Sequence, residues 1–276
     1  MDSYEDAVAV VTGGASGIGR GIALELAARG ASVALADLNE ERLAETERAI
    51  VERGRPALSV RCDVTSDDDV KALRDQVLDR FGVPDLLVNN AGVAVIGPPE
   101  RVAMADWEHI LQVNVLGLVR GVRAFVPAML ARGSGHVVNT ASVAGTWAYT
   151  WDAAPYVTSK FAAFGFSEAL ARRLHPHGVG VSVLCPGLVS TNLGETVRHS
   201  GVPEAQAGEW FFFPPEMQEA VAPEEVGVMV ADAVLDGRFV IFTHAADADR
   251  FTWWHRDLDA NLAEVVASTP PPPVLD

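Results

Sequence analysis

The feature that most restricts the fold is a junction near the start of the chain. Residues 7–11 are short, apolar and β-branched, and they run into Thr12-Gly13-Gly14-Ala15-Ser16-Gly17-Ile18-Gly19. Directly after it, Ile22, Leu24, Leu26 and Ala27 form the apolar side of a helix, with Gly30 at its C-terminal end. A buried parallel strand that enters a glycine-rich turn and then a helix is the opening unit of an α/β layered fold. The G-x-x-x-G-x-G spacing serves a tight turn, and it also lets backbone approach an anion closely. Placement between strand and helix favours the second use: Gly13, Ser16, Gly17, Ile18 and Gly19 can hold a pyrophosphate whose charge the helix N-terminus stabilises.

The unit then repeats. Strand-like segments at 32–36, 57–62, 86–88, 136–139, 180–184 and 239–242 alternate with helical patterns at 40–53, 67–81, 104–130, 154–174 and about 223–235. Ser66 is placed as an N-cap. Asn114 falls inside a long helix, and Pro127 near the end of that helix predicts a bend. The alternation predicts a doubly wound α/β fold, a seven-stranded parallel sheet with helices on both faces. Residues 1–269 read as one dinucleotide-binding and catalytic domain, whose β-α rhythm lapses at about 191–222, and 270–276 as a Pro-rich tail. In such a sheet ligands bind beyond the carboxyl ends of the strands. Asp37 stands at such an end, about 20 residues after the glycine loop, where a carboxylate hydrogen-bonds an adenosine ribose. It would repel a 2′-phosphate, so NAD is favoured over NADP; the alternative for Asp37 is a turn or cap role.

Composition removes several function classes. The formal charge of −16 argues against binding nucleic acid or an anionic membrane surface through a general positive field. Cys62 and Cys185 lie at the ends of apolar runs without metal-ligand spacing, and no His cluster supplies one, so no metal site is expected and both thiols read as buried and free. The first residues are acidic where a secretory signal is basic, no apolar run approaches ~20 residues, and the expected location is the cytoplasm.

Tyr156-Val157-Thr158-Ser159-Lys160 places a phenol and an ammonium at i and i+4, on one face of a helix. By itself such a pair reads first as a surface Tyr and Lys on an amphipathic helix, and the rest of the chain must decide. A tyrosine near its ordinary pKa of ~10 handles protons poorly at neutral pH, and lowering that value by roughly three units takes about 4 kcal/mol. One lysine in water does not supply that; a second cation in a dry cleft does.

The set Thr12-Gly13-Gly14-Ala15-Ser16-Gly17-Ile18-Gly19, Asp37, Asp63-Val64, Asn89-Asn90-Ala91-Gly92, Asn114, Ser142, Tyr156-x-x-x-Lys160 and Pro186-Gly187, in that order, resembles the short-chain dehydrogenase/reductase family. The resemblance implies NAD(P)-dependent hydride transfer to or from a carbonyl carbon, and a homo-oligomer, a tetramer before a dimer. It further implies that Tyr156 is the general acid/base and that Lys160 holds the nicotinamide ribose and lowers the phenol pKa. Ser142 would bond the substrate oxygen, and Asn114 would hold a water in a proton relay to Lys160. Asp63 and Val64 would contact adenine, Asn90, Ala91 and Gly92 border the cofactor cleft, and Val189 and Thr191, after the Pro186-Gly187 turn, bind the carboxamide. One departure is visible: the interval from Ser142 to Tyr156 is a residue longer than the family's usual one, which places an insertion in the loop of Trp147, Tyr149, Trp151 and Asp152.

In the family the segment after Thr191 covers the substrate. Here it carries Leu193 and the aromatic run Trp210-Phe211-Phe212-Phe213. Leu193, Trp210 and Phe212 with Trp147, Tyr149 and Trp151 would form a water-excluding pocket for a bulky apolar alcohol or ketone, or the same aromatics pack the lid or a subunit interface. The expected activity is that of an NAD-dependent alcohol dehydrogenase or ketoreductase. A carbocyclic diol dehydrogenase and a non-catalytic NAD(H)-binding sensor are the alternatives.

Overall fold

The computed structural model describes residues 3–202 and 220–268. The first half comprises β1 (Val8–Thr12), α1 (Gly17–Ala28), β2 (Ser32–Asp37), α2 (Glu40–Val51), β3 (Ala57–Arg61), α3 (Asp67–Phe81) and β4 (Leu86–Asn89). It continues through β5 (Val95–Ile96), α4 (Met104–Leu111), a π-helical turn (Gln112–Leu116), α5 (Gly117–Arg132), β6 (Gly135–Thr140) and α6 (Ala154–Leu174). The chain then forms β7 (Val179–Cys185), β8 (Arg198–His199), α7 (Pro223–Leu235), β9 (Val240–Phe242), α8 (Ala245–Trp254) and α9 (Leu258–Ser268).

Seven strands pair in parallel in the order β3-β2-β1-β4-β6-β7-β9. The chain runs outward in one direction from β1 to β3, then returns to β4 on the other side of β1. The crevice at that reversal is where open sheets of this kind place ligands. Alternate residues of each strand face opposite sides. Ala9, Val11, Val33, Leu35, Leu86 and Val88 pack with α1 and α7, while Val10, Ala34, Ala36, Leu87 and Val137 pack with α3 and α5. Helices α1 and α7 meet backbone to backbone: a Cβ at Gly21 would lie 2.1 Å from Pro223 O, and one at Gly227 2.5 Å from Gly21 O.

Ser66 caps α3 by accepting from Asp69 N at 3.1 Å. The long helix departs from expectation. The continuous pattern over 104–130 is divided by an irregular turn at Gln112–Leu116, around Asn114, and Pro127 lies within α5. Residues Met104–Arg132 are also long and apolar enough to span a membrane, although the sequence reading finds no such run. Here Phe125, Val126 and Met129 of this stretch are buried against the sheet. A second departure is a two-stranded sheet, β5 with β8, in which Val95 pairs with Arg198 and Ile96 with His199. It pins the segment after Thr191 to the loop after β4.

Candidate active site

The carboxyl ends of β1, β2, β4, β6 and β7 open into a cavity of about 780 Å³. At one end lies the glycine loop. Gly13 (φ +65°) and Gly17 (φ +51°) occupy the left-handed region, where a side chain is strained. Gly19 does not line the cavity; a Cβ there would lie 2.1 Å from Gly13 O, so it lets the first turn of α1 pack on the loop. Ser16, the N-cap of α1, makes no side-chain capping bond, and with Ile18 it faces the cavity. Asn90 ties three strand ends together. Its Nδ2 donates to Thr12 O at 3.1 Å, its backbone N donates to Thr12 Oγ1 at 2.9 Å, and its Oδ1 accepts from Thr140 Oγ1 at 3.3 Å.

Asp37 lines this end and also braces it, accepting from Ala15 N at 3.2 Å and Asn39 N at 3.0 Å. Each carboxylate oxygen keeps a further lone pair. Asp63 and Val64 form the adjoining wall; Asp63 Oδ1 is held by Thr65 N at 2.8 Å and Thr65 Oγ1 at 2.7 Å. A glycine-walled cradle at a helix N-terminus, with a carboxylate about 20 residues on, fits a dinucleotide pyrophosphate and its ribose.

The opposite end gathers Ser142, Tyr156 and Lys160, with Gly92, Pro186 and Gly187 beside them, while Ala91 and Thr191 come back to the glycine loop, where a Cβ on Gly13 would lie 3.0 Å from Ala91 Cα and one on Gly17 3.1 Å from Thr191 Cβ. Lys160 Nζ lies 5.6 Å from the Tyr156 ring centre and donates to Thr140 O at 3.0 Å. Ser142 Oγ accepts from Ala144 N at 3.2 Å and donates to Pro186 O at 3.4 Å, so it caps a short 3₁₀ turn while facing Tyr156. This is a phenol, an ammonium and a hydroxyl on one wall, at the end of the cleft away from Asp37.

The sequence profile of the family described as short chain dehydrogenase matches residues 7–201. This chain belongs to the short-chain dehydrogenase family.

A short-chain dehydrogenase/reductase from Burkholderia phymatum, solved in complex with NAD, is 33% identical with a TM-score of 0.83 and coverage of 100% of both chains. An alcohol dehydrogenase from the archaeon Thermococcus sibiricus, complexed with 5-hydroxy-NADP, is 26% identical with a TM-score of 0.73, over 86% of this chain and 96% of that one. The Mycobacterium tuberculosis protein named "Probable oxidoreductase EphD" is 37% identical over 194 residues, 70% of this chain and 33% of that protein. This short-chain dehydrogenase thus spans about a third of the length of that relative. Its solved neighbours hold cofactors of both the NAD and the NADP type.

Burial sets the electrostatics of the Tyr156 end. Desolvation pushes the Tyr156 phenol above its ordinary value, and the hydrogen bond with Ser142 works against it. Burial lowers the Lys160 ammonium to about 8, partly offset by the neighbouring Cys185. Burial also pushes the phenol of Tyr149 up, with Tyr156 and Asp152 adding to the effect. Within the protein alone the lysine therefore does not overcome the desolvation of Tyr156.

Not every residue singled out in the sequence is on the cavity wall. Tyr149 and Leu193 line it, but Trp147 and Trp151 do not. Trp147 is buried instead, with Tyr149 at 5.9 Å, Trp254 at 6.2 Å and the guanidinium of Arg250 4.7 Å from its ring centre. The loop turns this indole toward α8, so its apolar surface serves the core and not the pocket. Trp210 and Phe212 lie outside the described residues. Asn114 is behind the wall: its Nδ2 donates to Val93 O at 2.9 Å and Ser159 Oγ at 3.0 Å, and its Oδ1 accepts from Val93 N at 2.9 Å. A Cβ at Gly92 would lie 3.4 Å from that Oδ1 and 3.5 Å from Lys160 Nζ, so both polar atoms flank the same glycine.

Several wall residues escape the sequence reading. Val93, Ala94 and Val197 cluster with Tyr156 on the wall, His109 also lines the cavity, and Arg42 and Glu195 meet across the mouth at 3.1 Å, with Asn192 Nδ2 donating to Glu195 Oε1 at 2.5 Å. Residues 42 and 195 sit in elements unrelated by any sequence period, and only the return of the chain after β7 joins them.

Proposed function

We propose that the chain is an NAD-dependent alcohol dehydrogenase or ketoreductase acting on an apolar secondary alcohol or its ketone. The observation that carries this reading is the shared wall of Ser142, Tyr156 and Lys160 at the end of a dinucleotide-sized cleft. Oxidised nicotinamide, when bound, accepts the hydride and adds a positive charge beside Tyr156. With that charge and Lys160 together, the phenol gives up its proton at a pH nearer neutrality. Tyr156 Oη then takes the substrate hydroxyl proton as the hydride leaves the carbinol carbon. Ser142 Oγ donates a hydrogen bond to the same oxygen and offsets its charge. Lys160 Nζ would hold the nicotinamide ribose, and Asn114 Oδ1, beside Gly92 as Lys160 Nζ is, would hold a water that continues the proton relay.

Asp37 supports NAD over NADP, because a carboxylate at the ribose position repels a 2′-phosphate. Arg42 on the same rim does not reverse this, since its guanidinium is paired with Glu195. Tyr149, Leu193, Val93 and Val197 support an apolar substrate. Exposed Leu116 and Phe161 support a homo-oligomer, for which we favour a tetramer, and the buried free thiols of Cys62 and Cys185 suit a cytoplasmic location. A screen of secondary alcohols, including carbocyclic diols, with NAD or NADP and read by absorbance of the reduced cofactor tests the proposal. Turnover of apolar substrates with NAD is expected; binding of NADH without turnover of any alcohol or ketone would point to a sensor.

A further inference from the structure

The turn that follows β7 is gripped from both sides. Toward the catalytic wall, Pro186 O accepts from Val143 N at 3.0 Å and from Ser142 Oγ at 3.4 Å. On the opposite side stand Thr243, His244 and Asp247, at the end of β9 and the first turn of α8, none of which lines the cavity. Gly187 N donates to Thr243 Oγ1 at 3.0 Å, and that oxygen lies 2.9 Å from His244 Nδ1. Asp247 Oδ2 lies 3.5 Å from the same ring nitrogen.

The packing here is unusually close. A Cβ at Gly187 would lie 2.6 Å from His244 Nδ1 and 2.7 Å from Asp247 Oδ2, so imidazole and carboxylate both rest on the glycine backbone. Asp247 is only 8% exposed, and its Oδ2 accepts no hydrogen bond among the described residues. A buried carboxylate oxygen without a donor loses its hydration uncompensated, so it calls for a physical reason. Burial raises the Asp247 carboxyl, and His244 lowers it. Its position in the first turn of α8 returns part of the cost through the helix N-terminus.

We propose that Thr243, His244 and Asp247 are positioning residues that fix the Pro186–Gly187 turn against the nicotinamide end of the cofactor. The inference rests on the dehydrogenase reading above. Thr243 supplies the acceptor that aims the Gly187 peptide. His244 and Asp247 stop the turn from relaxing away from Ser142 and Tyr156, so the three residues set the placement of the ring without touching the reacting atoms.

The test compares two probes by calorimetry: NADH, which has the nicotinamide, and ADP-ribose, which lacks it. Thr243→Val keeps the shape and removes the acceptor; it is expected to weaken NADH about tenfold while ADP-ribose changes less than twofold. Thr243→Ser should restore NADH binding. Asp247→Asn is expected to show the same selectivity at a several-fold loss, and if it is silent the part given to Asp247 is wrong. Equal loss of both probes, or no loss of NADH, would overturn the proposal. Should the wild-type protein bind neither probe, the dehydrogenase reading itself fails, an outcome distinct from unselective variants of a wild type that binds both.

Discussion

The two ends of the cleft are built from different materials. At the Asp37 end the wall is backbone: Gly13 and Gly17 sit at positive φ, and Gly19 approaches Gly13 O more closely than any side chain allows. At the Tyr156 end the wall is side chains delivered from β6, α6, the loop after β7 and the segment pinned by β8. A backbone site tolerates almost no substitution at a few neighbouring positions. The side-chain site spreads its requirements over distant elements and tolerates change wherever a group only fills space.

The largest test of that contrast is at the chemical end. Tyr156→Phe should lower turnover by about 10²–10⁴-fold, the usual range for losing a general acid/base, while the NADH dissociation constant moves less than about twofold. Retained turnover would remove Tyr156 from the chemistry. The backbone end should answer in the opposite way. In Gly19→Ala the new methyl meets Gly13 O, so NADH titration should show about a hundredfold weaker binding or none. Near-normal affinity would mean that the loop is not held as tightly as its geometry indicates.

Stability separates the two ends a third way. Lys160 is buried and its ammonium lowered to about 8 from an ordinary 10.5, so the folded protein carries a penalty in full below pH 8, where the group is charged in both states. The penalty shrinks as pH rises through 8 towards 10.5, where only the unfolded chain still binds the proton. Lys160→Met should therefore be more stable by about 1–3 kcal/mol in denaturant titrations at pH 7. That advantage should fade across the same alkaline window, and turnover should be lost. A destabilised variant at pH 7 would show that the bond from Lys160 to Thr140 O outweighs desolvation.

Smaller effects sharpen the ends individually. Asp37→Ala should reduce the preference for NAD over NADP by about tenfold, and an unchanged ratio would leave Asp37 only its bracing of Ala15 and Asn39. Leu193→Ala should raise KM several-fold for bulky substrates and little for small ones. Equal effects on both would assign Leu193 to packing.

The backbone end was far more legible in the sequence than the side-chain end. Glycine spacing, the strand before it and the carboxylate after it fall within Val8–Asp37, where local conformation and chain direction fix what meets what. Tyr156 and Lys160 were legible as a pair for the same reason, being one helical turn apart. Trp147 was not, because an indole suits a pocket and a core equally, and contacts with Trp254 and Arg250 about a hundred residues later decide the matter. The π turn at Gln112–Leu116 likewise follows from bonds that Asn114 makes to Val93 and Ser159, and no periodicity within its own helix announces them.

The layered fold, the parallel sheet and the residue types of the candidate site could be read along the chain, because strand and helix periods, turn glycines and i, i+4 spacing are local properties. Which aromatics face the cavity, the meeting of Arg42 with Glu195 across its mouth, and the resting of the buried Asp247 on Gly187 became visible in the folded chain alone. Those contacts depend on the segment after β7 reaching α2 and on α8 coming to rest against the loops after β6 and β7, and packing that joins residues so far apart leaves no period along the chain.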